Sequence, residues 1–381
     1  MSRSAITIPS LLFLILRIMN KSTAHRILGV VTLILLLIAC SCNATNSSDP
    51  LENAGNVNTA SLPTSVFEGI EYDLMEIPLP GEFASAQMEY SGLTWYEQEL
   101  ILLPQYPNGI KGDQKGFLYA ISADNLYNHI EDTEQDVKVR PITFDDAGLS
   151  DRLAGFEGFE AIIFIDDSVY LTIETHGGNP MKAFVVKGEI ETSNNQISSI
   201  VLDGSSLVEL PVQNRNQNAS YEALTTDGQY IYAFYEQNGI EQNQSPFAIR
   251  LDENLKNYQE IPIDAINYRL TDATYMDQDG VFWAINYFFP GDRHLAVEED
   301  PLSAQYGLGE SHLLYEPVER IVKFQLTQEG FVLLHEAPLY LNLLEENEAR
   351  NWEGLEKFGN LGFLLVTDKF PNSILGFLRL K

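Results

Sequence analysis

The sequence predicts an all-β fold: a five-bladed β-propeller of four-stranded blades in which the N-terminal strand closes the last blade. Three observations lead there. First, a strand, a turn and a second apolar strand recur five times, as "YSGLTWYEQELILLPQ", "FEAIIFIDDSVYLTIE", "YEALTTDGQYIYAFYE", "TDATYMDQDGVFWAIN" and "WEGLEKFGNLGFLLVTD". Second, each repeat has a strand holding a proline: Pro78, Pro141, Pro211, Pro262 and Pro338. Proline has no N–H to give a ladder, so these are outermost strands. Third, the first proline strand precedes the first hairpin, whereas the last repeat ends without one, so the start of the chain supplies the missing edge. A β-sandwich would alternate strands too, but gives no reason for this four-part phase to recur.

Taken in order, the elements begin with an address label. After Lys21, His25 and Arg26 comes the apolar run "ILGVVTLILLLI" from Ile27 to Ile38, too short to span a bilayer, and then Ala39-Cys40. Residues 1–40 therefore read as a secretory signal, with Met19 as an alternative start. "LIAC" resembles the bacterial lipobox, which implies a lipid on Cys40 and a lipid-anchored protein of the cell envelope. Ser41 stands where the pattern has Asp for inner-membrane retention, so the resemblance implies the outer membrane. Residues 41–63, rich in Asn, Ser and Ala without apolar period, read as a flexible tether. Residues 64–381 are the propeller, and because Cys40 and Cys42 both precede it, no disulfide staples its core.

Within the propeller, Asp227-Gly228 and Asp279-Gly280 are hairpin turns. Third strands follow as "FLYAISA", "KAFVVKGEI", "FAIRL", "RIVKFQL" and "ILGFLRL". The composition suits this fold, with 45% hydrophobic and 11% aromatic residues in a 381-residue chain. A formal charge of −31 repels nucleic acid and acidic membrane surfaces, leaving cations, a small anionic substrate held through a cation, or a protein ligand as partners of a monomer.

Aligning the hairpins places Ser91, Glu160, Glu222, Asp272 and Glu353 at the start of the innermost strands, each before Gly or Ala. Innermost strands crowd around the central channel, so small neighbours let the backbones converge and the polar residues form a ring. Antiparallel pairing returns the ends of the second strands, Gln105, Glu174, Glu236, Asn286 and Asp368, to the same level as a second ring. So many carboxylates in a partly dry funnel cannot all ionise without a cation. Oxygen-only ligation without a Cys or His cluster predicts calcium rather than zinc, copper or magnesium. The alternative is that the carboxylates cap backbone N–H groups and lock blade to blade. At the same mouth, His176, Lys369, Arg293 and His294 on loops are candidates to bind an anionic substrate, with Glu174 or Glu236 activating water.

The Glu-Gly-Leu and Glu-Ala-Leu starts, "GFLYAIS" and "NWEGL…GFLLVTDKFP" resemble the phytase-like (esterase-like) propeller family of bacterial envelopes. The acidic ring is also similar to that of five-bladed calcium-dependent nucleotidases, and the Glu-Gly start to that of six-bladed lactonases. The resemblance implies a metal-dependent hydrolase of phosphate esters, or a lactonase-like hydrolase. The Asp-x-Asp-Asp-Pro phosphate motif of true propeller phytases is absent. A non-catalytic binding scaffold with a structural metal is the reading from a different class.

Overall fold

The structure is a computed structural model that describes residues 69–109, 116–176, 180–214 and 218–380. The signal, Cys40 and the tether lie outside the described residues. The first hairpin, Tyr90–Tyr96 and Glu99–Pro104, continues antiparallel into Gly116–Ser122 and then Arg140–Asp145. Phe156–Ile165, Ser168–Thr175 and Lys182–Ser193 repeat that order, with Val208–Leu210 on the outside. Tyr221–Thr226, Ile231–Tyr235, Phe247–Leu251 and Tyr258–Pro262 form a separate four-stranded sheet. The next set is Arg269–Ala273, Val281–Phe288 and Val318–Leu326, edged by Phe331–Leu333 and Leu339–Leu341.

Trp352–Phe358, Gly362–Thr367 and Leu375–Arg379 make the last set, and Leu74–Ile77 adds to it antiparallel, Leu74 opposite Leu378. The beginning of the domain thus edges its final sheet, as the missing proline strand required. The prolines fall where their chemistry allows. Pro78 and Pro211 follow their edge strands, Pro338 precedes one, Pro262 ends one, and Pro141 lies within one. Two features were not anticipated. Gln196–Leu202 folds back on Lys182–Ser193 and pairs in parallel with Thr143 to Asp145, just beyond Pro141, so it joins the outer edges of the first two sets. Glu71–Tyr72 lies parallel to Leu339–Leu341.

Apolar clusters show which sheets face each other. Leu103, Leu118, Ile142, Phe159 and Ile173 fill the space between the first two sets. Others lie between the second and third, the third and fourth, and the fourth and fifth. A further cluster joins Leu93, Leu100 and Leu102 of the first set to Leu364, Val366 and Phe377 of the last. The innermost strands touch in the same cyclic order. Sheets packed face to face around their innermost strands are the arrangement of a β-propeller. At about 25 cal/mol per Å² of buried apolar surface, such clusters are the main stabilising contribution.

Short helices decorate the rim. In Ala123–Glu131 the Ser122 hydroxyl accepts from the Asn125 N–H 3.3 Å away, which caps the first turn, and Leu126 and Ile130 face the core. Among the described residues, no helix is long and apolar enough to cross a membrane.

Candidate functional site: an acidic cavity with a buried arginine

The ring residues sit at β-bulges. Strand register slips between Tyr90 and Gly92, Tyr221 and Ala223, Trp352 and Gly354, Leu270 and Ala273, and Phe159 and Ile162. A bulge leaves an extra residue unpaired and turns its side chain out of strict alternation. Here the extra residues include Ser91, Glu222, Glu353, Asp272 and Glu160. The small neighbour is a contact requirement. A Cβ on Gly354 would lie 2.8 Å from Leu93 Cγ and 3.0 Å from the Leu93 nitrogen, where the last innermost strand meets the first.

A cavity of about 440 Å³ opens above the bulges. Glu160, Glu222 and Glu353 of the first ring line it, together with Gln105, Glu174 and Asp368 of the second. Gln105 Nε2 donates to Glu160 at 3.1 Å, and Asn351 Nδ2 donates to Glu353. Asp368 accepts the Phe370 N–H at 2.8 Å. Lys369 also lines the cavity, held by Glu89 at 3.1 Å.

Other predicted residues are used differently. The Ser91 hydroxyl donates to the Phe159 carbonyl at 2.5 Å, fastening the first innermost strand to the second. Asp272 turns away from the cavity and accepts the Leu355 N–H at 2.7 Å; in its bulge Thr271 faces the cavity instead and donates to the Trp352 carbonyl at 2.6 Å. Both ring residues are therefore strand-to-strand fasteners. Glu236 is fully buried behind the wall, accepts the Ser220 N–H at 2.9 Å and is ion-paired with Arg269. Asn286, also fully buried, donates to the Asn267 carbonyl and accepts from Arg320 at 2.8 Å each. His176 and His294 are exposed and outside the cavity lining. Arg293 is exposed as well, and pairs outward with Glu316 at 3.1 Å. Their place on loops after the second strands made these three candidates, and those loops leave them exposed to solvent.

The residue that sequence reasoning missed is Arg269. Its guanidinium contacts Glu236, meets Asp292 at 3.0 Å and lies 3.9 Å from Glu222, with only 9% of the side chain exposed. It stands three residues before ring residue Asp272, at the position equivalent to Glu157, which also lines the cavity, and to Arg350, which pairs with buried Glu319. Aligning that position would have revealed it. Burial alone would lower the Arg269 pKa, but Glu236, Glu222 and Asp292 outweigh it and hold the group charged.

Burial favours the protonated form of most of these acids. Burial, with Glu174 and Glu222 alongside, drives Glu160 well above the usual carboxylate range. Burial and Glu236 do the same to Glu222, and burial and Asp368 to Glu353. Glu174 is pushed up to about 8 by burial and the neighbouring Glu236. Asp368 is raised by burial too, but the Phe370 N–H, Asn351 and Lys369 favour its charged form. Among the described residues, no group of three or more His, Cys, Asp or Glu side chains is arranged to hold a metal ion. A guanidinium lies among the acids that the rings were expected to offer to calcium.

No protein-family model matches the chain. Nor does any curated protein. Solved structures similar to it include an exo-1,5-α-L-arabinanase from a bovine ruminal metagenomic library, at 8% identity and a TM-score of 0.43 over 80% of this chain and 100% of that one. An α-L-arabinofuranosidase from Clostridium thermocellum matches at 12% identity and 0.39, over 73% and 81%. A glycosyl hydrolase from Bacteroides ovatus matches at 12% and 0.40, over 82% and 90%. Likeness at this level assigns no activity, and none of it supports the phytase-like family that the short motifs resemble.

Proposed function

We propose that this protein is a five-bladed β-propeller hydrolase that cleaves a neutral, hydroxyl-rich substrate, a glycoside, by general acid–base chemistry. The blade count rests on the cyclic packing of the sheets, with the last apolar cluster joining the final set to the first. The observation that carries the chemistry is Glu174, a cavity-wall carboxylic acid that keeps its proton to about pH 8. Acid–base pairs are made by environments that push two carboxyl groups apart in pKa. Glu174 is the proton donor to the leaving oxygen. Asp368, whose charge is supported by the Phe370 N–H and Lys369, is the carboxylate that activates water or attacks.

Substrate class follows from charge. A phosphate ester, the substrate first expected, would find Arg269 and Lys369 as the cations of the cavity wall. Both cations are already paired, with Glu236 and Asp292 and with Glu89. Protonated and ionised carboxyl groups side by side can donate to and accept from hydroxyls. Tyr106 and the exposed Phe289 and Phe370 at the mouth offer ring faces to the C–H face of a sugar.

The test is turnover of a panel of aryl glycosides, aryl phosphates and lactones by the native protein and by Glu174→Gln. Glycoside cleavage should fall roughly 10²- to 10⁴-fold in the variant. In the native protein it should decline as pH rises through about 8, because the donor must be protonated. Binding without turnover on every panel member would favour the scaffold, and phosphatase activity unaffected by the substitution would discard the acid.

A further inference from the structure

The acid rings call for a positive charge, and the chain has its own. We propose that Arg269 occupies the place a divalent cation would otherwise take, so that the cavity is built to work without calcium and gains a calcium site only when the guanidinium is removed. This goes beyond the hydrolase reading and does not depend on it, since its readout is metal binding rather than turnover.

The geometry is that of a cation surrounded by its ligands. Three carboxylates from three elements converge on one guanidinium. Glu236 follows Ile231–Tyr235, Glu222 lies in Tyr221–Thr226, and Asp292 sits on the loop after Val281–Phe288. Glu236 has no exposed side-chain surface, so its charge is affordable only beside a fixed cation. Arg269 cannot drift away, because its backbone bridges to Gln237 on one side and its strand pairs with Tyr287 on the other. A guanidinium is planar and wide, and here it keeps Asp292 on one side and Glu236 on the other. Without it the same three carboxylates could supply up to six oxygens, the number calcium accepts in flexible geometry. Glu174 and Glu353, both of which feel the Arg269 charge, stand beside them on the cavity wall.

The experiment compares the native protein with Arg269→Lys and Arg269→Gln by thermal unfolding and calorimetric titration, in about 5 mM calcium and in chelator. Native protein and Arg269→Lys should show no calcium-dependent rise in Tm. Arg269→Gln should be the least stable in chelator and should recover on adding calcium, binding it at least tenfold more tightly than the native protein. If Arg269→Gln folds only with calcium present, the proposal is supported in its strongest form. It is overturned if the native protein binds calcium as tightly as Arg269→Gln, or if calcium neither restores nor stabilises that variant. Loss of glycoside cleavage in the native protein's own assay would bear on the hydrolase reading and leave these titrations unaffected.

Discussion

Two stretches of the propeller axis bury acids, and they solve the same problem in opposite ways. At the cavity wall, Glu222 and the Glu236 buried behind it face Arg269, whose charge lowers both relative to burial alone. Further along the innermost strands, Asp272 and Glu356 lie near each other, and burial drives both well above the usual carboxylate range. Backbone N–H groups serve them instead: Leu355 for Asp272, and Trp95 and Lys357 for Glu356, with the Thr94 hydroxyl alongside. Tyr275 completes this region. Its hydroxyl accepts from the Phe164 N–H at 3.0 Å and meets Thr94 Oγ1 at 3.2 Å and the Trp95 carbonyl at 3.3 Å. The ring position thus sets Glu222 on the open cavity beside a cation, and Asp272 in a hydrogen-bonded pin.

The largest effect should come from breaking the charged solution. In Arg269→Met, Glu236 keeps its buried position and loses its only close cation. Removing one partner of a buried ion pair typically costs about 3–5 kcal/mol. Urea unfolding should show that loss, together with a cavity acid ladder shifted further upward. A loss under about 1 kcal/mol would mean that Glu236 takes up a proton at little cost, and the contrast between the two regions would collapse.

A middle-sized effect should come from the neutral solution. Tyr275→Phe removes a hydroxyl that joins the fourth set of strands to innermost strands of the first and second. The Phe164 N–H then lacks that partner in a largely buried place, which costs about 1–3 kcal/mol by the usual penalty for an unsatisfied buried group. Unfolding midpoints should fall while glycoside cleavage per folded molecule stays as it was. Loss of turnover without loss of stability would place Tyr275 in the functional cavity.

These regions also mark how far the residues could be read in advance. The strand phase, the proline edges and the closing N-terminal strand were legible because alternation and proline chemistry are local, and Leu74–Ile77 pairs with Leu375–Arg379 as the order required. The polar–small pairs were legible as a ring because they recur in phase. The bulges beneath them were not, because one extra unpaired residue leaves no compositional trace, and the bulges decide that Glu222 and Glu353 face the cavity while Ser91 and Asp272 fasten neighbours. Arg269 escaped because a single basic residue at the start of a strand looks like an exception until its three acid partners, distant in sequence, are brought together.

The smallest effect at neutral pH, and the sharpest test of the difference, is Glu356→Gln. Burial drives Glu356 well above the usual carboxylate range and favours its neutral form, so an amide of the same shape should change stability at neutral pH by no more than about 0.5 kcal/mol. The pH dependence should change more. A carboxyl group whose folded pKa is raised stabilises fully below its unfolded pKa and loses that contribution as pH rises toward the folded value, because the unfolded chain then binds fewer protons. Native stability should therefore decline as pH rises above the ordinary carboxylate range, with Glu160, Glu222, Glu353, Asp272 and Glu356 all contributing in that direction. Removing Glu356 should flatten the decline, whereas parallel curves for native and variant would show that its burial is relieved by water and that the uncharged pin does not exist.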